Sequence, residues 1–147
     1  MEIQKKLTGL ELLENYPHTA VVVRAWFLEQ MIESLKDENV PDDFKNFMRD
    51  QGIENDKLAV MIDANPRMLF DVFDENEVFI FIHYMDVKDN VEFFHSFRNI
   101  DTNPVKLFKT RKEAELFAIE KAFEILETKL TPVVQEIEVT GEEIVEQ

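Results

Sequence analysis

Two histidines, His83 and His95, come closer than any other residues of this sequence to a metal-ligating pair. They lie in two segments with strand-like alternation, VFIFIHYM and VEFFHSF, which are separated by the polar turn DVKDN. If these segments form a hairpin, the imidazoles fall at or near opposite positions, and Asp86 or Glu92 could add oxygen ligands. A clear third ligand is missing. We therefore interpret both histidines as half-buried sheet residues and predict no metal site, with a small metal-dependent enzyme as an alternative.

A short basic stretch is the second group of residues that could bind something. It contains four basic residues with no acidic residue among them, and Glu113 follows directly: Lys106, Lys109, Arg111 and Lys112. They could contact a phosphate or an acidic partner, and they lie at a predicted helix start, where the helix dipole favours anions instead. A solvated turn is the commoner interpretation of such a stretch.

The sequence lacks the usual catalytic and cofactor-binding motifs. It has three glycines and no cysteine, and no P-loop, GxGxxG, GxSxG or HExxH pattern occurs. Disulfides, thiolate nucleophiles and cysteine-based zinc sites are therefore excluded. We predict no enzyme activity, no catalytic residue and no cofactor.

The strong negative charge limits the classes of partner. The net charge is −15, with 31 acidic against 16 basic residues, and the acids are concentrated in the first 75 residues and the last 17. Direct contact with nucleic acid or an anionic membrane would meet long-range repulsion, so we expect neither. A protein partner with a basic surface is favoured, and the same charge also confers solubility. Four of the five glutamates in the C-terminal segment are candidate interaction residues: Glu136, Glu138, Glu142 and Glu143.

Helical patterns fill the first half of the chain. The spacing predicts a capping box at Thr8 with a helix over 8–15, a long helix over 19–38, and three further short helices that begin near Pro41, Asn55 and Pro66. Apolar residues of the long helix are predicted to form its core stripe: Val21, Ala25, Leu28, Ile32 and Leu35, widened by Trp26, Phe27 and Met31. Phe44, Phe47 and Met48 are predicted to face inward from the next helix.

The second half changes to a period of two and then back to a helix. The two alternating segments predict a β-hairpin turning at Lys88-Asp89, VKLF (105–108) predicts a third short strand, and a capping box at Thr110 opens a helix over 111–129. Because the first strand is apolar on both faces, we expect that helix on one face and the N-terminal helices or a second subunit on the other. Trp26, Phe79 and Phe81 could form an interaction patch, although core packing is commoner for such residues.

The resulting prediction is a single α+β domain over residues 1–130. It combines a cluster of short helices (1–75) with a small antiparallel hairpin packed on a C-terminal amphipathic helix (76–130). Residues 131–147 are predicted to be an acidic tail or an edge strand. No apolar run is long enough to cross a membrane, the N-terminus lacks the apolar core of a signal peptide, and a cytoplasmic protein is expected.

The strand–helix segment FKTRKEAELFAIEKAFEILE resembles a pattern met in small tailed-phage accessory proteins. Four residues match the strand-to-helix junction of that pattern: Phe108, Thr110, Glu113 and Ala114. The amphipathic helix that follows matches at Ile119, Ala122, Phe123 and Leu126. The resemblance covers about the last third of the chain. It implies a phage or prophage source, and hence the host cytoplasm, but no defined activity.

These patterns favour a non-enzymatic protein-binding module. A phage-encoded accessory or inhibitor protein that acts on a host or phage protein is the first hypothesis, and a minor virion or assembly protein is the second. Two-sided apolar strands and an exposed sheet edge also make a homodimer an expected arrangement.

Overall fold

The computed structural model describes residues 7–35, 39–101 and 105–131, and over these ranges the chain is an α+β fold of six helices and one two-stranded antiparallel sheet. The helices are α1 (Gly9–Asn15), α2 (Pro17–Ser34), α3 (Asp42–Gln51), α4 (Asn55–Ala64), α5 (Met68–Glu75) and α6 (Arg111–Leu130). The strands are β1 (Ile80–Val87) and β2 (Asn90–Phe97). The predicted fold class is confirmed. The predicted tail or edge strand lies outside the described residues from position 132 onward.

Local side-chain signals explain several helix starts. Thr8 forms the predicted capping box with Glu11 at the start of α1. At α6, the Thr110 hydroxyl accepts from the Glu113 amide and donates to the Glu113 carboxylate. The long helix was predicted to begin at residue 19, and it begins at Pro17, where the missing N–H of proline costs no intrahelical bond.

The N-terminus of α2 is capped by a side chain of α6, which is distant in sequence. Tyr16, at the N-cap position, does not cap the helix with its side chain. Instead, the Glu127 carboxylate of α6 accepts from the backbone amides of His18 and Thr19 at 3.2 and 2.8 Å, and from His18 Nδ1 at 2.6 Å. A carboxylate at a helix N-terminus satisfies amides that have no partner within the helix. The contact therefore fixes α6 against the start of α2.

One apolar core joins the helical half to the hairpin half. Phe27 of α2, Phe73 of α5 and Phe123 of α6 are almost completely buried, and the Phe73 and Phe123 rings meet edge to face with centroids 5.4 Å apart. The same cluster includes Val78, just before β1, and Phe97 of β2. Helix α6 packs against α2, α5 and both strands, so it is the element on which the other layers meet.

Two predicted core faces differ from the structure. Phe44 and Phe47 of α3 were predicted to face inward, but they are 48% and 57% exposed, and α3 contains no buried residue. In α2, Val21 is exposed and Val23 is completely buried. The periodicity identified residues that share a helix face; it did not determine which face the neighbouring helices cover.

The hairpin turns where the sequence predicted it. Val87 pairs with Asn90, and the two turn residues Lys88 and Asp89 have φ values of 47° and 70°. Positive φ at both positions defines a type I′ turn, whose twist suits a two-residue hairpin. The predicted third strand is reduced to a single bridge in which Phe93 and Phe108 exchange two backbone hydrogen bonds of 2.8 Å. None of the helices within the described ranges has the length and apolar character needed to span a membrane.

Candidate functional site

The two hairpin histidines are one position out of register, which is near the predicted pairing, but their side chains lie on different faces of the sheet and cannot share a metal. Ile82 is the residue opposite His95, and Phe94 is opposite His83. A shift of one position reverses the face of a strand residue, because side chains alternate. Within the described ranges, no three His, Asp or Glu side chains are grouped as a metal site requires. The arrangement on which the shared-metal alternative depended is therefore not formed.

The face of the hairpin that carries His83 is uncovered, and we call it the open face. It contains Phe81, His83 and Met85 of β1 with Phe94 and Ser96 of β2. Phe81 is 46% and Met85 43% exposed, while the His83 ring stacks on Phe94 with centroids 4.9 Å apart. His83 Nε2 lies 2.7 Å from Ser96 Oγ. The expectation that the N-terminal helices would cover this face is wrong, because Phe81 and Met85 remain exposed; the alternative cover, a second subunit, stays a prediction.

Strand β1 also has an unpaired edge. Pairs across an antiparallel ladder alternate between hydrogen-bonded and non-bonded positions. The Arg98 amide donates to the Phe79 carbonyl, and the Val87–Asn90 pair closes the turn, so odd-numbered residues of β1 bond to β2. The even-numbered residues direct their N–H and C=O groups to the other side: Ile80, Ile82, Tyr84 and Asp86. In the part of the chain that the structure describes, no strand pairs with that side.

The basic stretch does not form one common site. Lys109 makes an ion pair with Glu92 at 2.9 Å, and the Arg111 guanidinium lies 5.9 Å from the centre of the Phe93 ring. Lys106 turns toward Phe117 of α6, with its Nζ atom 4.8 Å from the ring centre. Lys112 is exposed on the first turn of α6. Lys106 therefore packs the segment before α6 against α6. Lys109 links that segment to β2, and Arg111 links α6 to β2.

A cleft lies between the inner face of the hairpin and α6, and we call it the His95 cleft. Its volume is about 570 Å³, and it is lined by residues of β2, of the segments on either side of 102–104, and of α6. His95 lines this cleft and is only 6% exposed; its ring meets the Phe97 and Phe117 rings edge to face. Its Nδ1 atom is buried without a hydrogen-bond partner among the described residues. Burial, and secondarily the Lys121 charge, lowers the pKa of His95, so the imidazole is neutral at pH 7.

The remaining sequence candidates lie apart from the open face. Trp26 packs beside the core, edge to face with Phe27, and its Nε1 atom is buried without a partner in the described structure. Phe79 is half-buried just before β1, and the Arg98 guanidinium lies 5.8 Å from its ring centre. The four tail glutamates are outside the described residues. Phe81 is thus the one aromatic candidate that the structure places on the open face.

The sequence predicted an exposed sheet edge but did not assign it to β1, and it gave no indication of the His95 cleft. The edge depends on what lies beside β1, and the cleft depends on three segments that meet only in the folded chain. The sequence did contain one signal for the placement of the histidines. A turn at Lys88-Asp89 already places His95 opposite Ile82, and hence on the other face from His83. No protein-family model, curated protein or solved structure matches this chain.

Proposed function

We propose that this chain is a non-enzymatic protein-binding module that docks a partner on the open face and unpaired edge of its hairpin. The observation that carries the proposal is the combination of these two features on one strand. An extended segment laid beside β1 would gain backbone hydrogen bonds from Ile82 and Tyr84, and its side chains would pack against Phe81 and Met85. This is the geometry of strand addition, in which backbone bonds give affinity and side-chain contacts give specificity.

The charge around β1 supports a basic partner. Asp71, Asp74, Glu75 and Glu77 immediately precede the strand, and Asp86 lies at its far end. Burial, and secondarily the negative charge of Asp71, raises the pKa of Asp74. A lysine or arginine of the partner would relieve that repulsion while the apolar residues of the segment pack on the open face. The resemblance of the strand–helix segment to tailed-phage accessory proteins supports a phage-encoded accessory or inhibitor that acts on a host or phage protein.

An affinity capture from bacterial lysate tests the proposal. The tagged protein is compared with a Phe81→Glu/Met85→Glu variant, which adds charge to the open face. Val60→Glu is the matched control, because Val60 is 69% exposed on α4, away from the hairpin. A Tyr84→Pro variant removes one outward N–H without removing a bond to β2. Each variant is first checked for an unchanged circular dichroism spectrum.

We expect a stoichiometric partner that the wild type and Val60→Glu retain and that the two hairpin variants lose. Elution by salt separates the contributions, since a charge-driven complex dissociates at moderate salt and an apolar one persists. A partner held equally by all four proteins would show that the hairpin is not the docking element. Recovery of no partner, from a protein that is monomeric in solution, would overturn the proposal.

A structural role in an assembly is the second candidate, and the self-complementarity of β1 favours it. Two copies can pair antiparallel along the free edge with His83 of one copy opposite His83 of the other. Phe81 of each copy then lies opposite Met85 of the other on the open face, which is an apolar pairing that stabilises cross-strand contacts. A dimer formed in this way would extend the sheet to four strands.

A charge-reversal pair distinguishes this second candidate from docking of a foreign partner. His83→Glu and His83→Lys each place like charges opposite one another in such a dimer, which is destabilising. Each variant alone should therefore sediment as a monomer, and an equimolar mixture should restore a dimer. A wild-type dimer that survives in both variants would place the interface elsewhere. A wild type that remains monomeric at high concentration would argue against the homodimer and favour docking of a different protein on the β1 edge.

A further inference from the structure

We propose that the His95 cleft binds a small organic monoanion with an apolar body, of the class of medium-chain or aromatic carboxylates. This inference is independent of the docking proposal, because the cleft lies on the opposite face of the hairpin from Phe81 and Met85. It rests on the walls of the cleft, on its buried imidazole and on the arrangement of its charges.

The walls suit an apolar body. The cleft holds about 570 Å³, within the range of sites for small molecules. Its apolar lining residues come from β2, from both sides of 102–104 and from α6: Phe97, Ile100, Val105, Phe117 and Ile125. Phe97 belongs to β2, and Phe117 and Ile125 belong to α6, so little ordering of these three side chains would oppose binding of a ligand of matching size.

The imidazole of His95 offers an unused polar contact. More than nine-tenths of the residue is buried, it lines the cleft, and its Nδ1 has no partner among the described residues. Buried polar atoms are nearly always hydrogen-bonded, so an orphaned ring nitrogen in a cleft wall marks a place for a ligand polar atom. The neutral ring supplies one N–H donor and one acceptor.

The charges favour a single negative charge on the ligand. The ammonium groups of Lys106 and Lys121 lie 4.8 and 5.5 Å from the centre of the same Phe117 ring. Glu124, which also lines the cleft, already pairs with Lys121 at 3.6 Å. Among the described residues, no carboxylate lies within ion-pair distance of Lys106. A ligand carboxylate beside Lys106 would give this lysine a negative partner, as Lys121 already has in Glu124. Asp101 and Glu124, which also line the cleft, would repel a second negative charge on the ligand.

Three ligands that share one hydrocarbon chain test the proposal by isothermal titration calorimetry. Octanoate, octanol and octylammonium present an anionic, a neutral and a cationic head group. Lys106→Met removes the charge while keeping the length of the side chain, and Lys106→Arg restores the charge. Lys112→Met is the matched control, because it removes the same charge from the same basic stretch at a residue outside this cleft. His95→Phe removes the polar contact and keeps an edge-to-face ring.

We expect one octanoate per chain, with octanol at least about tenfold weaker and octylammonium without binding, since a charge-assisted contact is worth about one decade or more of affinity. Lys106→Met and His95→Phe should each weaken octanoate about tenfold, while Lys106→Arg and Lys112→Met bind as the wild type does. Equal binding of octanoate and octanol would overturn the inference. So would an unchanged affinity in Lys106→Met, or no octanoate binding up to about 10 mM, which is weaker than any selective site would show.

Discussion

Replacement of Glu127 by glutamine tests whether the contact between α6 and the start of α2 stabilises the fold. The carboxylate holds two backbone amides at the start of α2 and the ring of His18, and its side chain is only 17% exposed. Glutamine keeps the shape and one acceptor oxygen, and it removes the charge. Any loss of stability therefore measures the charge together with the hydrogen bonds that the single amide oxygen cannot accept, separately from the packing of α6.

The expected loss is about 1 to 2 kcal/mol in the free energy of unfolding. A negative charge at a helix N-terminus contributes about 0.3 to 1 kcal/mol, and about 2 kcal/mol where the site is partly buried. Hydrogen bonds to a charged acceptor are also stronger than those to a neutral amide. For a chain of this size, the loss corresponds to a fall in Tm of roughly 3 to 6 °C.

Urea denaturation followed by circular dichroism measures the difference, and Glu124→Gln is the control. Glu124 lies one turn earlier on α6, and it is 58% exposed with only Lys121 as an ion-pair partner at 3.6 Å. Exposed pairs of this kind contribute little, so the control should lose less than about 0.5 kcal/mol. A Glu127→Gln variant no less stable than Glu124→Gln would refute the assigned role.

The pH dependence of this difference gives a second test. Burial, the largest single influence, raises the pKa of Glu127, but the bonds from Thr19 and His18 together outweigh it and leave the pKa below its ordinary value of 4.5. A lowered folded-state pKa means that the contribution is complete above the unfolded pKa and is lost as the pH falls through the folded one. The wild type should therefore exceed the variant fully at pH 7 and progressively less below about pH 4.5. A difference that stays constant through this range would contradict the argument.

Three further substitutions have outcomes set by local geometry. Gly9→Ala should cost about 1 to 3 kcal/mol in urea titrations despite the better helix propensity of alanine, because its Cβ would lie 2.9 Å from Asp63 Oδ1; a gain in stability would contradict this contact. Trp26→Phe should leave the unfolding free energy within about 1 kcal/mol of the wild type or raise it, since the buried Nε1 has no partner. Lys88→Asn with Asp89→Gly should raise stability by about 0.5 to 1 kcal/mol, because both residues have positive φ; an unchanged Tm would argue against strain in this turn.

Local signals predicted where elements begin, and they failed to predict what covers them. The Thr8 and Thr110 caps and the turn at Lys88-Asp89 depend on residues within four positions of one another, and all three are present in the structure. The outward placement of Phe44 and Phe47 depends instead on whether another element packs against α3. Periodicity carries no information about that neighbour.

In the candidate site, too, the local elements could be predicted from the sequence and their neighbours in the fold could not. The strands and the turn were predictable, but a difference of one position separates histidines that share a face from histidines on opposite faces. His95 was expected to be half-buried, and its burial is nearly complete because Phe117 of α6 lies against it. The cation that accompanies it, Lys106, looked like part of a basic stretch. Its separation from Lys109 and Lys112 requires the path of the chain into α6, which no local pattern specifies.

The position of α6 at the end of the described chain determines when the protein can fold during its synthesis. Phe123 and Leu126 complete a core whose other members, such as Leu13, Phe27 and Phe73, leave the ribosome much earlier. At translation rates of about 5 to 20 residues per second, the 55 residues from 76 to 130 take roughly 3 to 11 s. Over that interval, α2 and α5 lack the surface of α6 against which they pack. We therefore expect core residues of the nascent helical half, such as Phe27 and Phe73, to stay accessible to ribosome-associated chaperones until α6 has emerged.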